Sequence, residues 1–416
     1  MRFLTPLVPG AGGKAVAVSL LALGASAAVA GALFLRDEAP EETTAARPAI
    51  LDAFRWPMPA WMPPPPVPED VAMTPELVEL GRRLFYDSRL SADRRIACAS
   101  CHQQELAFAD GRWVAVGAHG AVGHRNSPSL ANVGYMPTLT WANPHFTTLE
   151  FQVLTPLFGT EPVEMGLAGQ EAALFELLSA DPYYAEAFPA ALPDRPAPDL
   201  YTITRALGAF QRTLISLNSP YDCATYYGER EAMSEAARRG QALFFDHRLE
   251  CYHCHAGALF SDNLQTARTP FPESAFHNTG LYNVDGARAY PPGGLGLYEF
   301  KGTPSDMGRF RTPSLRNVAL TAPYMHDGSV ATLEEAIRHY AAGGRTLPDG
   351  PRAGVGADNP FKDPLVVGFE ISDAEIADLV AFLESLTDQD FLTDPAFANP
   401  WPDGHPATAN TLMPLN

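Results

Sequence analysis

Basic side chains are in short supply in this chain: 29 Lys and Arg stand against 48 Asp and Glu, a formal charge of −19 over 416 residues. Phosphate backbones and anionic headgroups would be repelled by such a surface, which excludes nucleic acid and anionic membrane as main partners. Long apolar runs are nearly absent as well. The one exception, Ala15 to Leu35, carries no charge, follows Arg2 and Lys14 and precedes acidic Asp37 and Glu38. That pattern is an export signal. It is either cleaved near Ala28-Val29-Ala30 or kept as an N-terminal anchor, and both outcomes place the body outside the cytoplasm, with the periplasm as the expected location. Strand-like alternation is also scarce, whereas 39 prolines and 33 glycines imply many loops around modest helices.

Cysteine is rare too, but its placement is informative. Four of the five lie in "CASCH" (Cys98, Cys101, His102) and "CYHCH" (Cys251, Cys254, His255). Cys-x-x-Cys-His is the attachment pattern for c-type haem: two thiols add to the vinyl groups and the adjacent histidine ligates iron. Two disulfides or one four-cysteine zinc site are the competing readings, and a histidine in the same place in both copies argues against them. Cys223 is left over and is expected to be a buried free thiol.

The two motifs sit inside a longer repeat. "GRRLFYDSRL" at 81 precedes the first and "GQALFFDHRL" at 240 the second, and "RNSPSLANV" at 125 is echoed by "RTPSLRNV" at 311. Such self-similarity implies two related units, each around one haem. Helix signals dominate both. Thr74-Pro75 is a start, Ser372-x-x-Glu375 is a capping box ahead of an Ile376, Leu379, Val380, Leu383 stripe, and Thr332-x-x-Glu335 opens "LEEAIRHYAAGG". The expected organisation is a signal or anchor (1–36), a proline-rich extended linker (37–70), an N-terminal haem unit (71–228), a C-terminal haem unit (229–390) and a tail (391–416).

In the helix from Leu333, spacings of three and four put Leu333, Ala336, Ile337 and Tyr340 on one inward face. His339, about 100° round, is expected outside, paired with Glu335. On its chemistry alone Tyr340 is either a core tyrosine or the second axial ligand of the second haem, with Met325 in "APYMHDG" as the other candidate ligand.

The order of these motifs over residues 70–390 resembles the bacterial di-haem cytochrome c peroxidases and their MauG relatives. That resemblance implies a mainly α fold of two cytochrome c-like domains related by duplication, with long irregular loops. In the peroxidases a methionine fourteen residues after the histidine of Pro-Tyr-x-His-x-Gly ligates the electron-transfer haem; here the position counted from His326 is Tyr340, the residue type of MauG-like enzymes. The resemblance further implies that Trp141 lies between the haems and passes charge. Gln152, Pro156 and Glu164 line the peroxide side, with Glu164 as general acid and base. Asn126, Thr321 and Pro323 hold a calcium ion, the last two through carbonyls. The histidine that caps the first haem in resting peroxidases has its nearest match in His119, one residue out of step. An open iron is expected, with His119 or His124 in a glycine-rich loop, and a removable His119 ligand is the alternative. Leu249 stands where MauG has a tryptophan for charge exit, and either Tyr252 is a substitute or the exit lies elsewhere.

Phrases such as "FRWPMPAWMPPPPVPED" and "FHNTGLYNVDG" resemble the methanobactin-associated branch. This implies a peroxide-dependent enzyme that oxidises a tryptophan of an MbnP-like partner protein to kynurenine, by long-range electron transfer through a high-valent di-haem state. A cytochrome c peroxidase fed by a small redox protein is one alternative, and a non-enzymatic di-haem electron carrier is another.

Overall fold

The structure, a computed structural model, describes residues 54–408. The export segment, the first part of the proline-rich linker and the end of the tail lie outside the described residues. Among the described residues no helix is long and apolar enough to cross a membrane.

Helices joined by long loops make up the body, and the only strands among the described residues are two two-residue ribbons. The strongest helices begin where the sequence signals them. Thr74 accepts a hydrogen bond from the Leu77 amide at the head of Pro75–Phe85, with Pro75 in the first turn. Ser372 and Glu375 form a full capping box on Asp373–Glu384, whose Ile376, Leu379 and Leu383 are buried. At Leu333–Ala341 the box is displaced: Thr332 caps the Glu335 amide, but the Glu335 carboxylate reaches back to Ala331.

Two helix pairs carry the duplication. Pro75–Phe85 packs on Leu200–Arg212, and Glu235–Phe244 packs on Asp373–Glu384. Each crossing is made at the glycine that opens the repeat. A Cβ on Gly81 would stand 1.9 Å from the Ala206 carbonyl oxygen, and one on Gly240 would stand 1.9 Å from that of Asp378. Only glycine lets the backbones approach so closely.

The halves interlock more than a boundary at 228/229 suggests. Tyr221, on the helix Pro220–Tyr226, packs against Phe260 and Phe382 of the second core. Phe391, Phe397 and Trp401 fold back into the first core, so this part of the tail is structural. The linker is extended but not a free tether: Met62 is buried, and Trp56, Trp61 and Val67 pack on the first core. Two buried ion pairs add specificity, Arg212 with Glu150 at 2.5 Å and Arg316 with Asp222 at 2.5 Å. Removing one partner of such a pair costs about 3–5 kcal/mol, because the other charge is left stranded in a low dielectric.

Candidate functional site

Each Cys-x-x-Cys-His motif forms a single turn, over Cys98–Cys101 and over Cys251–His253. The following histidine is held by its Nδ1: His102 bonds the Phe108 carbonyl at 2.8 Å and His255 bonds that of Phe260 at 2.9 Å. Phe108 and Phe260 both take positive φ (62° and 51°), a strained conformation that turns the carbonyl back toward the ring. Burial pushes both imidazoles below their usual range, so each is neutral, carries its proton on Nδ1 and presents Nε2 to a metal. The four thiols form no disulfide. Burial drives Cys98, Cys101 and Cys251 up to about 12.

Around the second motif lies a cavity of about 290 Å³. Cys251, Cys254 and His255 line it, and Tyr340 and Met325 reach it from the neighbouring helix and loop. Burial raises the Tyr340 hydroxyl well above its usual range, with the two cysteines adding to the effect. Trp141 borders the same space. Its indole N–H donates to the Asn126 carbonyl at 2.7 Å, and its own carbonyl accepts from the Arg311 amide at 2.8 Å. The ring is thus fixed between the two copies of the repeated Pro-Ser-Leu segment.

Asn126, Thr321 and Pro323 also border this cavity. The Asn126 side-chain nitrogen faces the carbonyls of Arg112 at 2.6 Å and Pro323 at 3.4 Å. These are oxygen donors of the kind a hard cation takes, and turning the Asn126 amide over would add a third.

Near the first motif, Glu164 is brought in by its backbone. Its carbonyl accepts from Ala118 at 2.6 Å, and Gly117 passes so close that a Cβ there would stand 2.1 Å from the Val163 oxygen. The Glu164 carboxylate is near enough to Cys98 and Cys101 to push both thiols further up. Burial alone raises its own pKa, since no hydrogen bond from the described residues offsets the desolvation. Pro156 is tied beside it through the Met165 amide at 2.8 Å, and Gln152 is half-buried at the end of Leu149–Gln152.

Relatives of this chain carry the same architecture. The family model for di-haem cytochrome c peroxidase matches residues 75–231. The cytochrome-c peroxidase IdrP1 of Denitromonas iodatirespirans is 37% identical, over 83% of this chain and 90% of that protein. The methylamine utilization protein MauG of Methylophilus methylotrophus is 32% identical, over 77% and 85% respectively. The chain belongs to the di-haem cytochrome c peroxidase and MauG family. Among solved structures, a MauG-like protein associated with microbial copper homeostasis is 49% identical, with a TM-score of 0.81 over 84% of this chain and 100% of that one.

As a member of this di-haem family the protein takes two c-type haems, and its residues fit them. Two neutral imidazoles with Nδ1 committed to carbonyls are what axial ligation needs, and a largely apolar cavity opens beside paired thiols. Two expectations are corrected. His339 is buried, not exposed. Helical phase could not show this, because its outward flank is covered by loop segments around Arg345 and Lys362, whose charges join burial in lowering its pKa to about 4. Cys223 is half-buried, not sequestered, on its short helix. His119 is exposed, its amide bonded to Asp93, and His124 is exposed beside Glu161.

Two features escaped the sequence reading. His277, in the quoted "FHNTG", bridges Asp262 at 2.7 Å and Asp363 at 2.6 Å, and Asp262, the Cys254 thiol and Asp363 together raise it to about 11. Its donors approach Cys254 closely enough to resemble a metal cluster. With both nitrogens bonded to carboxylates, it acts as a charged strut. Arg311, in the echoed "RTPSLRNV", is the second omission. Its motif was visible, but its burial depends on the Phe276–His277 strand pairing with Phe310–Arg311 across more than thirty residues.

Proposed function

We propose that this protein is a peroxide-dependent enzyme that draws electrons from a tryptophan of a partner protein, of the MbnP type, converting it to kynurenine. When bound, the haem pair supplies peroxide activation and the capacity to hold two oxidising equivalents. The chain's own residues set how that capacity is used. Glu164, desolvated and unbonded, is suited to accept a proton from peroxide and return it to the departing oxygen. Trp141, fixed at both its indole N–H and its carbonyl, offers a rigid aromatic step between the two sites.

Tyr340 carries the reading. It shares the cavity with His255; were it to hold the second haem's iron, giving up its proton on binding, its hard oxygen would favour the oxidised metal, unlike the thioether of an electron-transfer haem. Hydrogen peroxide and a protein substrate are therefore the partners. The carbonyls of Arg112 and Pro323 with Asn126 are the proposed calcium position, and Thr321 is a neighbour on the same cavity wall. The export signal places the enzyme in the periplasm.

The test is to incubate the di-haem protein with peroxide and the candidate partner and to weigh the partner's tryptic peptides. Tryptophan converted to kynurenine supports the reading, and Tyr340→Phe should suppress the conversion and alter the second haem's spectrum. The relatives named cytochrome-c peroxidase favour a second reading, peroxide removal using electrons from a small redox protein. Rapid turnover with a reduced cytochrome and an unmodified partner would establish it instead.

A further inference from the structure

Three arginines are buried among the described residues: Arg212, Arg311 and Arg316. Two of them face carboxylates, Glu150 and Asp222, at 2.5 Å. Arg311 does not. It is 5% exposed, and its hydrogen bonds run only to neutral atoms: Nε to the Thr140 carbonyl at 3.0 Å, and Nη1 to the Thr312 carbonyl and the Met136 sulfur, both at 3.3 Å. Asp262, the acid that acts on it through space, makes no hydrogen bond to it and is bonded to His277 at 2.7 Å. No ion pair to Arg311 occurs among the described residues.

A buried charge with no bonded counter-ion costs several kcal/mol, a cost that a counter-charge arriving from outside the chain would offset. Burial lowers Arg311 to about 10, which leaves it cationic at neutral pH. Its place says what arrives. Arg311 lines the cavity that holds His255, Cys254 and Tyr340, and its backbone amide is bonded to Trp141. The planar fork of a guanidinium matches a carboxylate in two parallel hydrogen bonds.

We propose that Arg311 is the anion site for a propionate carboxylate of the second haem, and that through this pairing it fixes that haem's redox potential. The inference rests on the di-haem assignment and not on the identity of the partner protein. Arg311 is a positioning residue: it keeps the propionate ionised and compensated across the working pH range. Without it, the propionate titrates within that range, and its negative charge favours oxidised iron as pH rises.

The experiment uses the full di-haem protein, with haem content checked by mass, and compares wild type, Arg311→Gln and Arg311→Lys. Spectroelectrochemistry of the second haem from pH 5 to 9, together with its resonance Raman propionate bending band, gives the readout. Arg311→Gln should add a fall in potential with rising pH that wild type and Arg311→Lys lack, and should shift the bending band. Arg311→Lys keeps the charge but loses the fork, so it should shift the band without adding the pH slope. If Gln prevents folding, the Lys variant decides alone: an unchanged band overturns the proposal. So does Arg311→Gln that matches wild type in both readouts. A wild-type potential that follows chloride or acetate concentration, with a band indifferent to either substitution, assigns the site to a free anion and also overturns it. A mass showing a single haem would instead sink the di-haem reading itself. The partner-oxidation assay remains independent of all these outcomes.

Discussion

Two halves of this molecule start from one plan and part company around the metal. Gly81 and Gly240 make the same helix crossing. Phe108 and Phe260 turn the same carbonyl to the histidine that ends each Cys-x-x-Cys-His motif. Asn132 and Asn317 both adopt left-handed geometry (φ 61° and 59°) and both converge on Ser216. Two residues beyond each phenylalanine stands an aspartate, and here the halves diverge. Asp110 accepts from the Ser127 hydroxyl at 2.9 Å, and burial raises its pKa, whereas Asp262 is paired with the His277 imidazolium. At the next repeated position Asn126 faces neutral carbonyls, while its counterpart Arg311 brings a buried charge. The scaffold is duplicated; the charges are specialised. The first half gathers desolvated acids, Asp110 and the unbonded Glu164, and the second gathers cations and a tyrosine.

The largest expected effect breaks this contrast at its catalytic end. Glu164→Gln should slow the reaction with peroxide by about 10²–10⁴-fold, the usual contribution of a positioned acid–base group, measured by stopped-flow absorbance. Because burial raises the Glu164 pKa, the acid limb of the wild-type pH profile should lie above the ordinary carboxylate value of about 4.3 and vanish in the variant. The sign for stability runs the other way. A carboxyl whose folded pKa is raised binds more protons folded than unfolded, so its contribution is lost as pH rises. At neutral pH the variant should therefore melt no lower than wild type. A lower melting temperature would mark Glu164 as structural.

Next in size is the strut. His277→Gln strands two partly buried carboxylates and should cost about 3 kcal/mol. Ser127→Ala, at the first half's aspartate, removes one neutral hydrogen bond and should cost about 1 kcal/mol. His277 has a raised pKa, so its contribution is full below about 6.5 and is lost as pH climbs through about 11. The difference between the two variants, measured by denaturant unfolding, should accordingly shrink in strong alkali. Equal costs at neutral pH would erase the proposed division between charged and neutral halves.

What could be read from the sequence follows from what is local. The Cys-x-x-Cys-His turns, the helix caps at Thr74 and Ser372 and the paired glycines are encoded within a few residues. The two related units are legible in the repeat around these motifs, and the likeness to a solved MauG-like structure agrees with the fold class. Burial of His339 was not legible, because it depends on which loop covers a helix flank, and glycine-rich loops carry no periodic signal. Arg311 and His277 belong to strands of two residues each, too short to register as alternation. Interlocking of Tyr221 and Trp401 with opposite cores was hidden for the same reason: long-range packing leaves no trace in local spacing.

Gly81→Ala and Gly240→Ala test whether the shared scaffold is shared in energy. Each methyl group would meet backbone, not a yielding side chain, so the helices must separate. Overpacking of this kind costs about 1–3 kcal/mol, and similar losses of melting temperature are expected in both variants. If one glycine tolerates alanine freely, the halves do not depend on the same crossing.

The smallest effect concerns the helix that carries Tyr340. Thr332 accepts from the Glu335 amide at 3.1 Å, and Thr332→Ala should cost about 1 kcal/mol, the usual value of an N-cap. The Glu335 carboxylate, bonded to Ala331 instead of the cap residue, cannot take over that amide. Since Thr332 lies two turns from Tyr340, the loss should appear in unfolding but leave the second haem's spectrum unchanged. A spectral shift in Thr332→Ala would show that the cap sets the depth of Tyr340 in the cavity, joining the local helix signal to the chemistry of the second site.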